Sequence, residues 1–281
     1  MFEMQLFFRY PGFRCKALTL SYDDGVIADR RLIDIMQKNG LKGTFNLNSG
    51  LMGTRPDWLL TAEECAALYP AAGMEVALHG YTHTWLEQQP ANMAAYEIIA
   101  DRQKLEGLFG CPVTGMAYPF GTYNDTVIDV LRMSGVRYAR TVKSTRAFAL
   151  PEDWLCLHPT CHHNDKALFE LADKFLAIEE LPTRPGRSPM SMFYLWGHSY
   201  EFDNDGNWDV IERFAEKMAG HEDIWYATNG EIYRYVQACA RVEVAVDGSS
   251  CYNPTAFDIC FYAGRKPYTV RAGETICITR P

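Results

Sequence analysis

The chain has 281 residues, 48% hydrophobic and 22% charged, enough to bury a large core in one big α/β domain or two smaller ones. A formal net charge of -8 removes the general attraction to phosphate backbones and anionic surfaces, so neither nucleic acid nor membrane is expected as a partner. Nine cysteines without a Cys-x-x-Cys pair read as reduced and mostly core, and no run reaches the length of a membrane span, so a cytoplasmic protein is expected.

The N-terminal segment, Met1 to Lys16, mixes Phe7, Phe8 and Phe13 with Arg9, Pro11 and Arg14. It lacks the apolar core and small-residue cleavage site of a signal peptide. A first strand is expected over residues 17–22, running into Asp23, Asp24 and Gly25. Neighbouring strand residues point to opposite faces, so two adjacent carboxylates can serve one site only where the strand is ending. Gly25 permits a sharp exit. Asp-Asp-Gly also reads as an ordinary solvated turn.

A helix over 27–38 and strands over 43–47 and 74–78 follow, by the 3.6- and 2-residue periods. The last strand delivers His79, with His83 four residues further on. That spacing predicts both imidazoles on one face of a helical turn, within reach of one ion at roughly 2.0–2.1 Å. Among seven histidines, a chance surface pair is the competing reading. Next come a helix over 91–108 and a strand over 113–118, ending in Ala117-Tyr118-Pro119-Phe120-Gly121. A helix over 126–133 precedes a strand over 136–142 that presents Val136, Tyr138, Arg140 and Val142 on one face.

After a strand over 155–158, His162 and His163 read as part of a loop capping a helix over 166–178, with a position lining the pocket as the alternative. The apolar strand 192–196 ends in Gly197 and His198, a histidine equally suited to a structural role and to general acid catalysis. Asp203-Asn204-Asp205-Gly206 lacks the full ligand spacing of a calcium loop and reads as a turn before a helix over 209–218. A strand over 224–226 and a helix over 231–239 complete the alternation. Beyond residue 240, short strands over 242–246, 256–262, 268–270 and 275–279 predict a β appendage. The expected domains are therefore 1–240 and 241–281.

Repeated strand-helix alternation implies a parallel sheet, and about seven or eight units imply closure into a barrel. Catalytic residues then gather at the C-terminal ends of the strands, where Asp23, His79, Pro119 and His198 would converge. One carboxylate and two imidazoles make an open, zinc-type site, and the other carboxylate is left to act on water.

Four segments in this order resemble the polysaccharide deacetylase family, also called the NodB-homology or carbohydrate esterase family 4 group: Ser21 through Gly25, His79 through His83, Ala117 through Phe120, and Leu195 through His198. The resemblance covers roughly residues 17–235 and implies a distorted (β/α)7-type barrel, here with the small C-terminal β appendage. It implies Asp23 as catalytic base, Asp24, His79 and His83 as metal ligands, the Phe120 amide in the oxyanion site, and His198 as acid. The implied cofactor is a divalent metal, zinc first, with cobalt, nickel or manganese as alternatives. The implied reaction is removal of an acetyl group from an N-acetylated, or O-acetylated, small carbohydrate or oligosaccharide. Hydrolysis of a cyclic or linear amide, as in the allantoinase-like branch, and a non-catalytic carbohydrate-binding relative are the alternatives.

One position departs from the family pattern. Ala117 stands where the motif has an arginine that steadies the catalytic aspartate. Arg140, costly on an apolar strand face unless paired, is the expected replacement, with an unrelated structural ion pair as the competing reading. On the sequence alone, Arg140→Ala should lower turnover far more than stability. Tyr118, Pro119 and Trp196 are candidates for substrate contact, though aromatics are equally good core.

Overall fold

The architecture is that of a computed structural model describing residues 6–179 and 189–279. The first five residues of the N-terminal segment and the last two of the appendage lie outside the described residues. Strand β1 (Leu6–Arg9) precedes β2 (Lys16–Asp23), α1 (Asp29–Lys38), β3 (Gly43–Leu47), α2 (Ala62–Ala71), β4 (Glu75–Leu78) and α3 (Ala91–Phe109). Then follow β5 (Gly115–Ala117), α4 (Asp125–Met133), β6 (Tyr138–Arg140), β7 (Cys161–His162), α5 (Leu168–Leu176), β8 (Ser191–Gly197), α6 (Ser199–Asp205) and α7 (Trp208–Met218). The chain ends with β9 (Ile224–Tyr226), α8 (Asn229–Ala240), β10 (Glu243–Val244), β11 (Ser250–Tyr252), β12 (Ile259–Ala263), β13 (Lys266–Val270) and β14 (Thr275–Cys277).

The main sheet is parallel in the order β6-β5-β4-β3-β2-β8-β7, with β9 beside the start of β2. Beyond β6 the sheet is continued by Leu157, whose N–H donates to the Ala139 carbonyl at 2.9 Å and whose carbonyl accepts from Thr141 N–H at 3.0 Å. The result is the expected distorted (β/α)7-type barrel. The strand expected over 155–158 is reduced to this bridge, because Trp154–Cys156 coils into a single 3-10 turn started by the Asp153 side chain.

Two-residue alternation explains how the barrel carries both a core and a site. In β2, Leu18, Leu20 and Tyr22 join the main apolar core with residues of the surrounding helices, such as Leu32 and Met36 of α1. The alternate residues Thr19, Ser21 and Asp23 are buried too, but their polar groups meet inward-facing partners. At the lower end the plug is the N-terminus of α8. Asn229 accepts from Thr19 Oγ1 at 2.8 Å and donates to the Tyr194 hydroxyl at 2.7 Å, while Gly230 N–H donates to Glu75 at 2.8 Å. A Cβ at Gly230 would come within 2.0 Å of that carboxylate and displace it. The capping box of Thr228 and Glu231 starts the helix at this depth.

Two helices went unread in the sequence. Helix α2 carries a Thr61–Glu64 capping box, yet its sequence contains Pro70 and no clear apolar stripe. The segment expected to be a turn, Asp203 to Asp205, is the last turn of α6, closed by Gly206 in the left-handed conformation at φ 62°. The C-terminal strands form two small antiparallel sheets, β10-β11-β14 and β1-β12-β13. Strand β1, counted with the barrel in the sequence reading, is therefore paired with the appendage, where Phe8 packs near Phe261. A second apolar cluster joins these sheets, α8 and the barrel residues Ala17 and Tyr194. The nine cysteines form no disulfide with one another, and most of them are buried.

Candidate active site

The strand β2 ends at Asp23, and Asp24 takes a left-handed conformation at φ 80°, followed by Gly25 at φ 66°. An aspartate tolerates that region better than most side chains. The turn solves the alternation problem, because it brings the Asp24 carboxylate round to the same opening as Asp23. Their environments then diverge. Asp23 is buried, ion-paired to Arg140, and accepts from Asn46 Nδ2 at 2.8 Å. Burial alone would raise its pKa, but Arg140, then His79 and His198, outweigh it and hold the carboxyl at about 2. Asp24 is partly open to solvent, with His79 Nε2 at 3.6 Å and His83 Nε2 at 3.8 Å from one oxygen.

Arg140 reaches Asp23 from β6, the strand next to the one that ends at Ala117. Its guanidinium lies over the Trp196 ring, 4.4 Å from the centroid, so its charge is paired and one flat face is covered. Trp196 is thus a buried support, not an open sugar platform. Asn46, which sequence reasoning missed, sits opposite Asp23 in the β2–β3 register and also donates to Ser21 Oγ at 2.8 Å. A polar residue between Phe45 and Leu47, in a strand expected to be wholly buried, was the available signal.

His79 and His83 do meet, with ring centroids 4.8 Å apart, but not on a helical turn. The segment after β4 is a loop in which Gly80 has φ 78° and His83 φ 55°. Asn48 Nδ2 donates to the carbonyls of His79 and Gly80, and Glu97 accepts from the Thr82 amide and hydroxyl, each at 2.7 Å. Asp101 accepts from His79 N–H at 3.1 Å and from Ser49 N–H at 2.8 Å. No local pattern marks these three supports, since each acts across a contact between segments distant in the chain.

His79 Nδ1 donates to the Ala117 carbonyl at 2.8 Å, which leaves the Nε2 lone pair facing Asp24 and His83. Burial and the neighbouring His79 push the His83 pKa down, favouring the neutral, ligating form. The ligand atoms of Asp24, His79 and His83 lie within 4.8 Å of one another. Four ligands at about 2.0–2.1 Å around zinc would place neighbouring donors about 3.4 Å apart, close to the 3.6 and 3.8 Å found. The donor set fits a divalent metal.

Of the loop after β5, Phe120 stands at the opening with φ 57°, its ring 4.4 Å from His83 and stacked on Trp85 at 3.7 Å. Tyr118 does not line the opening: it is buried, stacks on Tyr123, and donates to the Leu155 carbonyl at 2.8 Å. Pro119 is buried as well, lying 3.1 Å from where a Cβ on Gly80 would stand. These two shape the loop from behind instead of offering surface to a substrate.

His198 follows β8 and places Nε2 at 3.8 Å from Asp23 Oδ2. Burial opposes its protonation, but Glu201 and the two aspartates outweigh it and raise its pKa. His162 and His163, expected in a helix-capping loop, turn inward at the end of β7 and reach Glu201 at 3.1 and 3.2 Å.

Residues 11–139 match the family model for polysaccharide deacetylase. Among curated proteins no sequence matches the chain. Among solved structures, a Mycobacterium smegmatis protein assigned as a polysaccharide deacetylase shares 19% identity over 83% of this chain and 93% of its own, with a TM-score of 0.59. Puue allantoinase shares 15% identity over 80% of this chain and 91% of its own, with a TM-score of 0.61. A Streptococcus pyogenes deacetylase, PplD, solved with acetate, shares 23% identity over 49% of this chain with a TM-score of 0.46, and the chain spans only 61% of its length. At these identities the likeness is one of fold. Among the described residues no helix is long and apolar enough to cross a membrane.

Proposed function

We propose that the protein is a metal-dependent hydrolase that removes acetyl groups from an N-acetylated small carbohydrate or oligosaccharide in the cytoplasm. The observation that carries this reading is the division of two adjacent carboxylates. Asp24 shares an opening with two imidazoles, while Asp23, 3.7 Å from His79 Nε2, is buried and held ionised by Arg140 and Asn46. A divalent metal, zinc first, held by Asp24, His79 and His83, would polarise the acyl oxygen and acidify water.

In this reading Asp23 accepts the proton of the attacking water through Oδ2, the oxygen nearest His79 and His198. Its low pKa suits a carboxylate that must stay ionised among cations, and proton transfer to it depends on water having been acidified first. The Phe120 amide, at the rim of the opening, contributes to holding the developing oxyanion. His198, with its raised pKa, donates the proton that the departing nitrogen needs. Arg140 orients Asp23, the task left vacant by Ala117. The strands of residues 241–281 serve as a packing appendage, with catalysis confined to 1–240.

The test is a zinc-loaded assay for acetate and ammonia over N-acetylated sugars and cyclic amides. Acetate from an N-acetylated sugar is the expected result. Ammonia or ring opening alone would move the assignment to amide hydrolysis, and no product with zinc bound would leave only a binding role.

A further inference from the structure

The loop after β4 and the loop after β5 meet at the rim of the opening, where side-chain contacts tie them together. Glu87, in the single 3-10 turn Leu86–Gln88, accepts from Thr122 Oγ1 at 2.8 Å. Two residues before it, the Trp85 ring lies 3.7 Å from the Phe120 ring with only 4° between their planes. Leu86 is buried in the main core, so Trp85 stands on a fixed base although it is itself 40% exposed. Phe120 has φ 57° and Gly121 φ 71°, and Thr122 N–H reaches back to the Pro119 carbonyl at 3.4 Å. Positive φ at both central residues is the pattern of a type I′ turn, in which glycine, asparagine and aspartate are the usual occupants.

A phenylalanine in the left-handed region needs something to hold it there, because its Cβ crowds the following carbonyl oxygen. Gly121 is pressed from behind, since a Cβ on it would fall 2.3 Å from Val142 Cγ2. Phe120 is 43% exposed, and its ring is gripped by Trp85 on one face and by His83, 4.4 Å away at 72°. The angle φ is the rotation about the N–Cα bond, so it fixes the direction of the N–H relative to the side chain. Clamping the ring therefore aims the amide. We propose that Trp85 is the positioning residue of the Phe120 amide, keeping that donor directed at the developing oxyanion, a role that rests on the amide being part of the oxyanion site.

Trp85 could also be taken for a platform on which a sugar ring rests. The parallel stack argues against this, since one face of each ring is covered by the other. The two roles also differ in what they do to the rate. A platform holds substrate and transition state alike, so its loss raises KM, whereas an aimed donor is felt where negative charge forms, so its loss lowers kcat. Removing one oxyanion donor outright costs about 100-fold or more in kcat, and a donor left in place but free to swing should cost less, about 10-fold.

The test is NMR of zinc-loaded full-length protein carrying isotope-labelled phenylalanine amides, comparing wild type with Trp85→Ala and Trp85→Phe, with Phe120→Leu to identify the resonance. In Trp85→Ala the Phe120 amide signal should move toward that of an unstructured phenylalanine and lose its heteronuclear NOE, and added sodium acetate should shift it less than in wild type. Trp85→Phe, which keeps a ring to stack, should restore both. Acetate release from an N-acetylated sugar should show kcat lowered about 10-fold in Trp85→Ala with KM and zinc content unchanged, and recovery in Trp85→Phe. An unchanged Phe120 amide in Trp85→Ala would overturn the proposal, as would a raised KM at constant kcat. Should Trp85→Ala not fold, Trp85→Leu, which keeps apolar bulk without a flat ring, makes the same comparison. The NMR reading needs no turnover, so a protein that releases no acetate loses the hydrolase reading while the amide comparison still decides the role of Trp85.

Discussion

Removing Arg140 tests the arrangement at its most exposed joint. Both partners of the Arg140–Asp23 pair are buried, so Arg140→Ala leaves a carboxylate in a low-dielectric pocket without its cation. Breaking such a pair by removing one partner costs about 3–5 kcal/mol. The lowering of Asp23 from 3.8 to about 2 corresponds to about 2 kcal/mol of stability at neutral pH. Because that pKa is depressed, the contribution is complete above about pH 4 and is lost as pH falls through about 2. Without Arg140 the pKa rises, so the cost of the variant should grow between about pH 3 and pH 7. Urea melts of metal-free Arg140→Ala, Asp23→Asn and the double variant should show non-additivity of about 2 kcal/mol or more, since the double variant leaves no buried unpaired charge. Turnover of zinc-loaded Arg140→Ala should drop by about 100-fold, in the range that general base catalysis contributes. Stability therefore falls together with turnover, unlike the expectation from sequence, because the guanidinium is buried against Trp196. Stability within about 0.5 kcal/mol of wild type, additive variants and undiminished turnover would refute the reasoning.

Asn46→Leu keeps the side-chain size but leaves the oxygens of Ser21 and Asp23 without their shared donor. It should cost about 1–3 kcal/mol in a urea melt and slow acetate release, and equal rates would remove Asn46 from the account. Asp29 is a second buried carboxyl, accepting from Tyr69 and Ser199 hydroxyls. Burial, only partly offset by those bonds, raises its pKa to about 7. A raised carboxyl destabilises the fold as pH climbs from about 4 through 7, by at most about 4 kcal/mol. Asp29→Asn should flatten that decline in melting temperatures taken from pH 5 to pH 8, whereas parallel curves would contradict it.

What the sequence made legible was whatever is encoded along one strand and its exit. The apolar run before Asp23 and the glycine after Asp24 announce a strand end bearing two carboxylates, and the two-residue period places Arg140 with Tyr138 on the inward face of β6. Contacts between distant segments left no such trace. Glu201 carries a spacing of three from His198, readable as a helix start, but its partners His162 and His163 come from another strand. Asn48, Glu97 and Asp101 support the His79 loop through contacts spanning fifteen residues or more. The helical-turn expectation for His79 and His83 failed because i,i+4 spacing describes helices, and a left-handed Gly80 brings the same two rings together in a loop. Tyr118 was ambiguous by composition alone, and its buried hydroxyl bond to Leu155 decides for the core.

The central claim is that Asp23 performs proton transfer while Asp24, His79 and His83 hold the metal. It is tested most directly by measuring acetate release and bound zinc together in wild type and Asp23→Asn. The account predicts one equivalent of zinc in both proteins, with acetate release from an N-acetylated sugar in the wild type and its loss in the variant. Full acetate release by Asp23→Asn, or loss of zinc along with activity, would contradict the division of roles between the two aspartates.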